Sequence, residues 1–470
     1  MTAKEKMAIP AQVMPEQNPV VRARNMNEVA LGYSPEQAKC EASRCLQCPT
    51  KPCMQGCPVA IDIPAFLAKA AEGDFAGALE IIRKTSLLPA VCGRVCPQEK
   101  QYQKFCTMGK LLKDIEKSVA IGRVERFCAD FAAGNGKGGA TTAPSAKSGK
   151  RVAVIGSGPA SITCAADCAR SGHDVTMFEA FHKCGGVLVY GIPEFRLPKA
   201  IVQREIDGLK AMGVKIETNF CVGRTEKLQE LLKSFDAIFV GTGAGLPKFM
   251  NIEGENLNGV FSANEYLTRA NLMKAYDEGN ADTPFWHGKR VAVLGGGNVA
   301  MDASRMALRL GAEKVYLIYR RSLEEMPARR EEIHHAREEG VDFHMLENAK
   351  RILGDEKGFV CGIECLKYEL GAPDASGRRS PVAIPGSEFT LDVDTVVVAV
   401  GNASNPLIPA TTEGLEVNAR GNIVVDPETN MTSIPGVFAG GDIVLGAATV
   451  ILAMGEGRRA AAGINAYLAK

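Results

Sequence analysis

A strand, glycine turn, helix and second strand occur in the same order twice in this chain, and this repeat constrains the fold more than any other feature. The first copy begins with RVAVIGSGPAS at Arg151, and the second begins with RVAVLGGGNVA at Arg290. In each copy the helix is rich in small residues, and a second strand closes the unit, DVTMFE or KVYLIYR. Near-continuous apolar strands alternating with helices are typical of parallel sheets covered on both faces. The sequence therefore predicts an α/β fold with two Rossmann-like dinucleotide-binding domains.

The first copy carries the residues that bind a dinucleotide. Gly156 makes the tight turn, and Gly158 lets the backbone approach a pyrophosphate. Pro159 and Ala160 open the helix, whose N-terminal N–H groups face the phosphates. Glu179 ends the second strand, where a carboxylate accepts hydrogen bonds from a ribose diol. A glycine-rich turn without a ligand is the alternative that this combination disfavours.

The second copy lacks the acid at the end of its second strand. Gly295, Gly297 and Asn298 supply the turn, but Arg320 and Arg321 follow the strand. Arginine pairs bidentately with a 2′-phosphate, which an acid would repel, so this site is predicted to prefer NADP(H). A further phosphate contact is predicted from Arg329, in the segment MPARREE. The alternative is that these arginines are only a solvated strand end.

The second strands of the two copies end in different residues, which indicates two different ligands. FAD in the first copy and NADP(H) in the second is the simplest assignment. The pair Gly185-Gly186 is predicted to lie near the flavin. Near the C-terminus, Gly441 and Asp442 follow another strand, and Asp442 is predicted to bind the ribityl or phosphate region. A helix starting near Thr449 would direct its N–H groups at the flavin ring. The competing interpretation of Asp442 is a helix N-cap.

Cysteines are concentrated before the first copy. Of 15 cysteines, eight fall between Cys40 and Cys106, and the start MTAKEKMAIPAQ has no apolar core of a secretory signal. A cytoplasmic, reducing location is therefore expected, where clustered cysteines indicate metal ligation. The run CLQCPTKPCMQGCP resembles the ferredoxin pattern in which three close cysteines hold one cluster and a fourth, before proline, holds another. Tetrahedral zinc is the competing interpretation.

The composition is that of a globular protein with no broad polyanion-binding surface. The 470 residues carry a net charge of +1, with 46% hydrophobic and 23% charged residues, and no apolar run is long enough to span a membrane. We therefore expect neither nucleic acid nor membrane as a partner. The predicted organisation is a helical iron–sulfur domain (1–131), a flexible or draped linker (132–150), a first FAD-binding part (151–283), an inserted NADP(H)-binding domain (284–391) and a second FAD-binding part (392–470).

Nearly the whole chain resembles the glutamate synthase small subunit family of two-dinucleotide flavoproteins. The motifs that carry the resemblance are CLQCPTKPCMQGCP, CGRVCPQEK, AIGRVERF, GGVLVYGIPEFRLPK, GGGNVAMD and GVFAGGD. The segment Gly186–Lys199 is most similar to the large subunit of NADH-dependent reduced ferredoxin:NADP+ oxidoreductase and to sulfide dehydrogenase.

The resemblance also implies the ligands of two [4Fe–4S] clusters. One cluster would be held by Cys45, Cys48, Cys53 and Cys106, and the other by Cys57, Cys96, a further cysteine and Glu125. Tyr102 stands where relatives carry that further cysteine, so Cys92 replaces it or the second cluster is altered or absent.

These features together predict an electron-transfer subunit. Flavin exchanges electrons in pairs with a nicotinamide and singly with a cluster, so it is expected to lie between them, and no catalytic acid or base is needed. A bifurcating ferredoxin:NADP+ oxidoreductase is the favoured assembly, with a flavin and [2Fe–2S] small subunit and possibly ferredoxin as partners. A glutamate synthase, with an amidotransferase large subunit, is the alternative. A sulfide dehydrogenase or disulfide-type reductase and a non-enzymatic scaffold also stay open.

Overall fold

The structure is a computed structural model that describes residues 1–136, 146–277, 279–281 and 283–470. The predicted linker, 132–150, contains residues 137–145, which lie outside the described part. The preceding helix continues to Gly134, so the regular structure runs slightly into the predicted linker.

The N-terminal domain is helical, as predicted. Its α-helices are α1 (Ala3–Ala8), α2 (Pro19–Arg22), α3 (Pro35–Ser43), α4 (Pro52–Gln55), α5 (Ile63–Glu72), α6 (Phe75–Arg83), α7 (Pro89–Val95), α8 (Tyr102–Phe105), α9 (Thr107–Leu111) and α10 (Ile121–Gly134), with 3-10 turns at Gln98–Lys100 and Ile115–Lys117. Side-chain caps start several of them, including Ser34 in a capping box with Gln37. Two of the candidate metal ligands lie within helices, Cys53 in α4 and Cys92 in α7.

The first dinucleotide-binding unit follows the linker. Its elements are β1 (Arg151–Ile155), α11 (Pro159–Arg170), β2 (Asp174–Phe178), α12 (Val187–Tyr190), α13 (Lys199–Ala211), β3 (Lys215–Glu217), α14 (Leu228–Ser234), β4 (Ala237–Val240) and β5 (Leu246–Pro247).

The second unit occupies the middle of the chain. Its elements are β6 (Val260–Ser262), α15 (Ala263–Asn271), β7 (Arg290–Leu294), α16 (Asn298–Arg309), β8 (Lys314–Tyr319), a 3-10 turn (Leu323–Glu325), α17 (Arg330–Glu338), β9 (Asp342–Met345), β10 (Glu347–Gly354), β11 (Val360–Pro373), β12 (Arg379–Ala383), β13 (Phe389–Leu391), β14 (Thr395–Val398) and β15 (Asn402–Ala403). The chain then returns to the first unit through α18 (Leu407–Thr411), β16 (Val437–Ala439), α19 (Asp442–Leu445) and α20 (Val450–Leu468).

Two parallel sheets organise these units. The first has the order β16-β4-β1-β2-β3, and β16 comes from the C-terminal part of the chain. The second has the order β6-β14-β7-β8-β9. Because the second unit is entered after β4 and left before β16, it is inserted in the first. This confirms the predicted α/β fold with one dinucleotide-binding domain inserted in the other and a helical domain before both.

The second sheet divides the chain at different points from those predicted. Strands β6 and β14 fall within the predicted FAD-binding segments 151–283 and 392–470, yet both pair in the second sheet. The short antiparallel pair β5 and β15 then joins the two units. The glycine motifs locate only the strand that precedes each turn. The local sequences of β6 and β14 therefore do not indicate that these strands belong to the second sheet.

The N-terminal domain is tied to the second unit by a buried cluster of charges. Glu339 accepts hydrogen bonds from Arg22, Arg305 and Arg309 at 3.0, 2.7 and 2.7 Å. Burial alone would raise the pKa of Glu339, but Arg305 and Arg309 outweigh it and lower that pKa to about 2. The carboxylate is therefore charged at neutral pH and joins helices distant in sequence.

Among the described residues, none of the helices combines the length and the hydropathy needed to cross a membrane.

Candidate functional site

A cavity of about 350 Å³ lies where the helical domain and the two dinucleotide-binding units meet. The helical domain contributes Val95 and Pro97 to its wall, and the second unit contributes Asn298, Val299 and Asp302. The first unit supplies most of the lining, including these predicted residues: Gly156, Gly158, Pro159, Ala160, Glu179, Gly186, Gly441, Asp442 and Thr449. Residues from distant parts of the sequence thus share one site.

The first glycine turn has the backbone geometry that phosphate binding requires. Gly156 has φ of +90°, and a Cβ there would lie 2.6 Å from the carbonyl oxygen of Gly241. At Gly158, by contrast, a Cβ would meet nothing within 4 Å. Gly158 is also the N-cap of α11, whose first residue is Pro159. Open space in front of free helical N–H groups fits a pyrophosphate.

Glu179 is held in place by the turn itself. One carboxylate oxygen accepts the Phe181 N–H at 2.8 Å, and the other accepts the hydroxyl of Ser157. Ser157 in turn accepts the N–H of Gly185 at 2.9 Å. Burial raises the pKa of Glu179, although these hydrogen bonds oppose the shift. Sequence reasoning missed Ser157, whose signal was a hydroxyl between the motif glycines.

The Gly185-Gly186 pair packs directly on the glycine turn. Both residues have positive φ, +126° and +55°. A Cβ on Gly186 would lie 2.9 Å from the Cα of Gly158. Only glycine permits this approach, so the pair closes the cavity against the dinucleotide turn.

The C-terminal helices begin at the cavity. Gly441 has φ of +79°, and Asp442 is the first residue of α19. Burial raises the pKa of Asp442 to about 6, while a hydrogen bond from the Ala448 backbone opposes the shift. Thr449 caps α20, accepting the Leu452 N–H at 3.4 Å. The positive end of a long helix therefore borders the cavity.

The second glycine turn repeats the backbone of the first. Gly295 has φ of +145°, and a Cβ there would collide with the carbonyl group of Ala399. Gly297 is the N-cap of α16, and a Cβ on it would meet nothing within 4 Å. Asn298 accepts the Arg329 N–H through its side-chain oxygen at 2.9 Å. The open space at Gly297 fits a second pyrophosphate.

The arginines predicted to bind the 2′-phosphate differ in their surroundings. Arg320 is exposed at the end of β8. Arg321 is buried, donating to Asp374 at 2.6 Å and to the carbonyl of Arg379 at 2.8 Å. Arg329 is also buried: it donates to the carbonyl of Arg94 at 2.5 Å and to Glu331 at 2.6 Å. Of the three, Arg320 has the guanidinium that is accessible.

An arginine missed by sequence reasoning joins the two units at the cavity. Arg196 donates to both oxygens of Asp302 at 2.7 Å and pairs with Glu332 at 3.0 Å. Burial raises the pKa of Asp302 to about 6, and Arg196 opposes that shift. Arg196 lies in GIPEFRLPK, a segment that indicated family resemblance but whose arginine was not predicted to have a role.

In the helical domain, Cys45, Cys48, Cys53 and Cys106 line one pocket with apolar neighbours such as Ile63 and Leu67. We call these cysteines the first cysteine group. Burial raises the pKa of Cys45, and it raises that of Cys53 to about 12. A metal that binds such thiols displaces their protons, which are released to solvent. The group therefore fits the thiolate set of an iron–sulfur cluster.

A second cysteine group is formed by Cys57, Cys92, Cys96, Tyr102 and Glu125, all buried. Burial raises the pKa of Cys57 to about 11, and the charges of Glu125 and Cys96 raise it further. Burial also raises the pKa of Glu125 to about 8. The Glu125 Oε1 and Tyr102 Oη atoms have no hydrogen-bond partner among the described residues. The structure thus brings together the residues implied for the second cluster, Cys57, Cys92, Cys96 and Glu125, and places Tyr102, which stands where a cysteine was expected, with them.

The fold and the site define a class of flavoprotein with two dinucleotide-binding domains and an iron–sulfur module. Residues 150–457 match the family described as pyridine nucleotide-disulphide oxidoreductase, and residues 22–137 match dihydropyrimidine dehydrogenase domain II, 4Fe-4S cluster. The chain belongs to the pyridine nucleotide-disulphide oxidoreductase family, in the group of glutamate synthase small chains and their relatives. The predicted class, an NADP(H)-dependent FAD and iron–sulfur oxidoreductase, is confirmed.

Similar proteins include subunits of larger enzymes. The chain is 38% identical to the glutamate synthase [NADPH] small chain of Azospirillum brasilense, over 97% of this chain and 95% of that one. It is 42% identical to the NADP(+)-dependent formate dehydrogenase subunit beta of Moorella thermoacetica, over 89% of this chain but 60% of that subunit. Mycobacterium tuberculosis FprA in complex with NADPH shares the fold at a TM-score of 0.57 and 19% identity, over 68% of this chain and 85% of FprA.

Proposed function

We propose that this chain is the electron-transfer subunit of a complex and that the central cavity is where its electron carriers meet. The observation that carries the proposal is the shared wall of the cavity, to which the helical domain and both dinucleotide-binding units contribute. FAD, when bound, supplies exchange of electron pairs with a nicotinamide and of single electrons with an iron–sulfur cluster. Pairing these chemistries requires adjacent sites, and the shared wall makes them adjacent.

The first unit is proposed to hold FAD. Gly156 and Gly158 set the backbone against the pyrophosphate, and Glu179 faces the ribose. Asp442 and the start of α20 border the remainder of the cavity. Because Ser157 and the Phe181 N–H already orient Glu179, its carboxylate is arranged before a ligand arrives.

The second unit is proposed to hold NADP(H). Gly295 and Gly297 open the helix N-terminus to the pyrophosphate, and Arg320 is free to pair with the 2′-phosphate. Arg321 and Arg329 would have to exchange existing partners to reach the ligand. The Arg196–Asp302 pair fixes this unit against the first at the cavity wall.

The first cysteine group is proposed to hold a [4Fe–4S] cluster. Cys45 and Cys48 are partly exposed, whereas Cys53 and Cys106 are buried. The pocket therefore has a buried side towards the protein and an accessible side. An accessible side suits electron exchange with a partner redox subunit.

Two assemblies are proposed for the partner subunit. We propose a ferredoxin:NADP+ oxidoreductase complex, supported by the resemblance of segment 186–199, and an amidotransferase large subunit as the alternative. The near full-length match to a glutamate synthase small chain supports the alternative. A cytoplasmic location is part of the same proposal.

The test is anaerobic isolation of the chain from its native cell, with a tag on the chromosomal copy. We expect a yellow-brown protein that contains flavin and iron, is bleached by NADPH more readily than by NADH, and carries a second polypeptide. A small flavin and [2Fe–2S] partner would support the first assembly, and an amidotransferase the second. A colourless, iron-free chain would contradict the function itself.

A further inference from the structure

Tyr102 places its phenol in the second cysteine group, close to the groups predicted to bind iron. Its side chain is 3% exposed. Burial raises the pKa of the Tyr102 phenol, and so do the charges of Glu125, Cys96 and Cys57. The Tyr102 Oη lies against Gly122 of α10, the helix that also carries Glu125, so the phenol is turned into the protein rather than towards solvent.

Two oxygen atoms of this group lack a partner. Among the described residues, nothing forms a hydrogen bond with the Tyr102 Oη or with the Glu125 Oε1. A buried polar atom without a partner costs on the order of 1–3 kcal/mol. If Tyr102 only filled space, its buried hydroxyl would be expected to have a hydrogen-bond partner within the protein. Unpaired oxygens next to thiols instead indicate a group that binds both oxygen and sulfur.

Close backbone contacts fix where the phenol points. A Cβ on Gly122, one turn before Glu125 in α10, would collide with the Tyr102 Oη. A Cβ on Gly56, beside Cys57, would lie 2.8 Å from the Tyr102 backbone nitrogen. Glycines on both sides thus seat Tyr102 between α10 and the cysteine run. The hydroxyl has little freedom to leave the group.

The second group is joined along the chain both to residues that line the cavity and to the first group. Its Cys96 is flanked by Val95 and Pro97, both of which line the cavity. Its Cys57 follows Cys53 of the first group along the same run. A metal centre here would therefore lie near both the cavity and the first cysteine group, a position that suits electron transfer between them.

Cys92 is engaged differently from Tyr102. Its sulfur lies 3.5 Å from the Sδ atom of Met454 and interacts with the Cys96 thiol. It therefore has sulfur partners within the protein, whereas the Tyr102 hydroxyl has none. This difference favours Tyr102 over Cys92 as the residue that replaces the expected thiolate.

We propose that Tyr102 is an iron ligand, and that its phenolate oxygen, with Cys57, Cys96 and Glu125, holds a second iron–sulfur cluster. On binding, the phenolic O–H bond is replaced by an iron–oxygen bond and the proton is released to solvent, with no change in oxidation state. The inference rests on the proposed iron–sulfur function of the helical domain. It adds an oxygen-rich ligand set that sulfur spacing does not reveal.

The test uses the full chain, prepared anaerobically and reconstituted with iron and sulfide. Iron and acid-labile sulfide are counted per chain, and resonance Raman spectra are compared for protein with ordinary and ring-deuterated tyrosine. We expect about eight iron atoms, as two [4Fe–4S] clusters contain, and phenolate bands that shift on deuteration. About four iron atoms, or about eight without such bands, would overturn the inference. Flavin with about four iron atoms would leave the proposed function standing, whereas loss of both would remove that function too.

Variants separate the ligand from a structural residue. Tyr102→Cys is expected to keep about eight iron atoms but lose the phenolate bands, because a thiolate takes the position. Tyr102→Phe is expected to lose up to half of the iron. Tyr33→Phe is the matched control: Tyr33 is also buried, but its hydroxyl donates to the Gln12 carbonyl at 2.7 Å, so iron should not change. Loss of iron in Cys92→Ser but not in Tyr102→Phe would assign the site to Cys92 and refute the proposal. If Tyr102→Phe fails to fold, the isotope shift in the unaltered protein still decides.

Discussion

The two dinucleotide-binding units share a turn but differ in what holds the end of the second strand. In both, a glycine with positive φ faces a carbonyl group, and a later glycine opens on empty space at a helix N-terminus. After that, Glu179 is buried and bonded to its own turn, whereas Arg320 is exposed. We propose that the shared part binds what all dinucleotides share, the pyrophosphate, and that the different part faces the ribose, where the two ligands differ.

A second difference comes from outside the repeated units. Among the described residues of the first unit, no sheet corresponds to the antiparallel one formed by β10 to β13 in the second. The β11–β12 turn of that sheet supplies Asp374 to Arg321. Arg321, one of the three arginines predicted to contact the phosphate, is therefore committed to the fold. A repeated motif therefore sets the general kind of ligand. Structure added to one unit decides which side chains are still available to distinguish one ligand from another.

Exchanging the turn glycines should give the largest effects and should separate the two sites. Gly156→Val places a side chain against the Gly241 carbonyl in a strained backbone, so we expect no bound FAD and poor folding. Gly295→Val is expected to abolish NADP(H) binding while FAD stays bound. Flavin absorbance and NADP+ titration measure the two. Loss of FAD in both variants would show that the units do not fold around separate ligands.

Removing the exposed arginine should have the next largest effect. Arg320→Ala is expected to raise the KM for NADPH about 10- to 100-fold, since charge-assisted hydrogen bonds contribute about 1.5–3 kcal/mol. The KM for NADH should stay unchanged, because NADH lacks the 2′-phosphate. Steady-state reduction of an artificial acceptor measures both. Arg420→Ala, at an exposed turn in the other unit, is the control. An equal rise with NADH would contradict 2′-phosphate selection.

Neutralising the acid of the first unit should have a moderate effect. Glu179→Gln keeps the shape but replaces charge-assisted hydrogen bonds to the ribose with neutral ones, so FAD affinity should fall by up to about tenfold. Flavin release measured by fluorescence during dilution tests this. Glu217→Gln, at the exposed end of β3, is the matched control. Unchanged FAD affinity would remove Glu179 from the proposed ribose site.

Arg321→Ala should have the smallest effect on the coenzyme. Because Asp374 already neutralises this guanidinium, it contributes little to a phosphate contact, and the KM for NADPH is expected to change by less than about threefold. The melting temperature should fall instead, as the β11–β12 turn loses its anchor. A KM shift as large as that of Arg320→Ala would show that Arg321 leaves Asp374 for the phosphate.

Much of the site follows from the sequence because its key residues are defined by local geometry. Gly156 and Gly295 adopt positive φ, which glycine does without steric cost, and Gly158 and Gly297 are helix N-caps that leave space for a ligand. Both features belong to a short glycine motif that can be recognised in the sequence. The spacing of the first cysteine group likewise follows from a short run, with Cys106 added by resemblance. The sequence therefore predicted which residues bind ligands. Through Glu179 and the arginines it also predicted the class of each ligand.

Tertiary structure decided which of these side chains are available and what surrounds them. Ser157 orients Glu179, Asp374 removes Arg321, and Arg196 bridges to Asp302 across more than a hundred residues of chain. The assignment of β6 and β14 to the second sheet is of the same kind. A local pattern determines backbone conformation, because that depends on neighbouring residues. Hydrogen-bond partners and burial depend on segments that only the folded chain brings together, so no local pattern determines them.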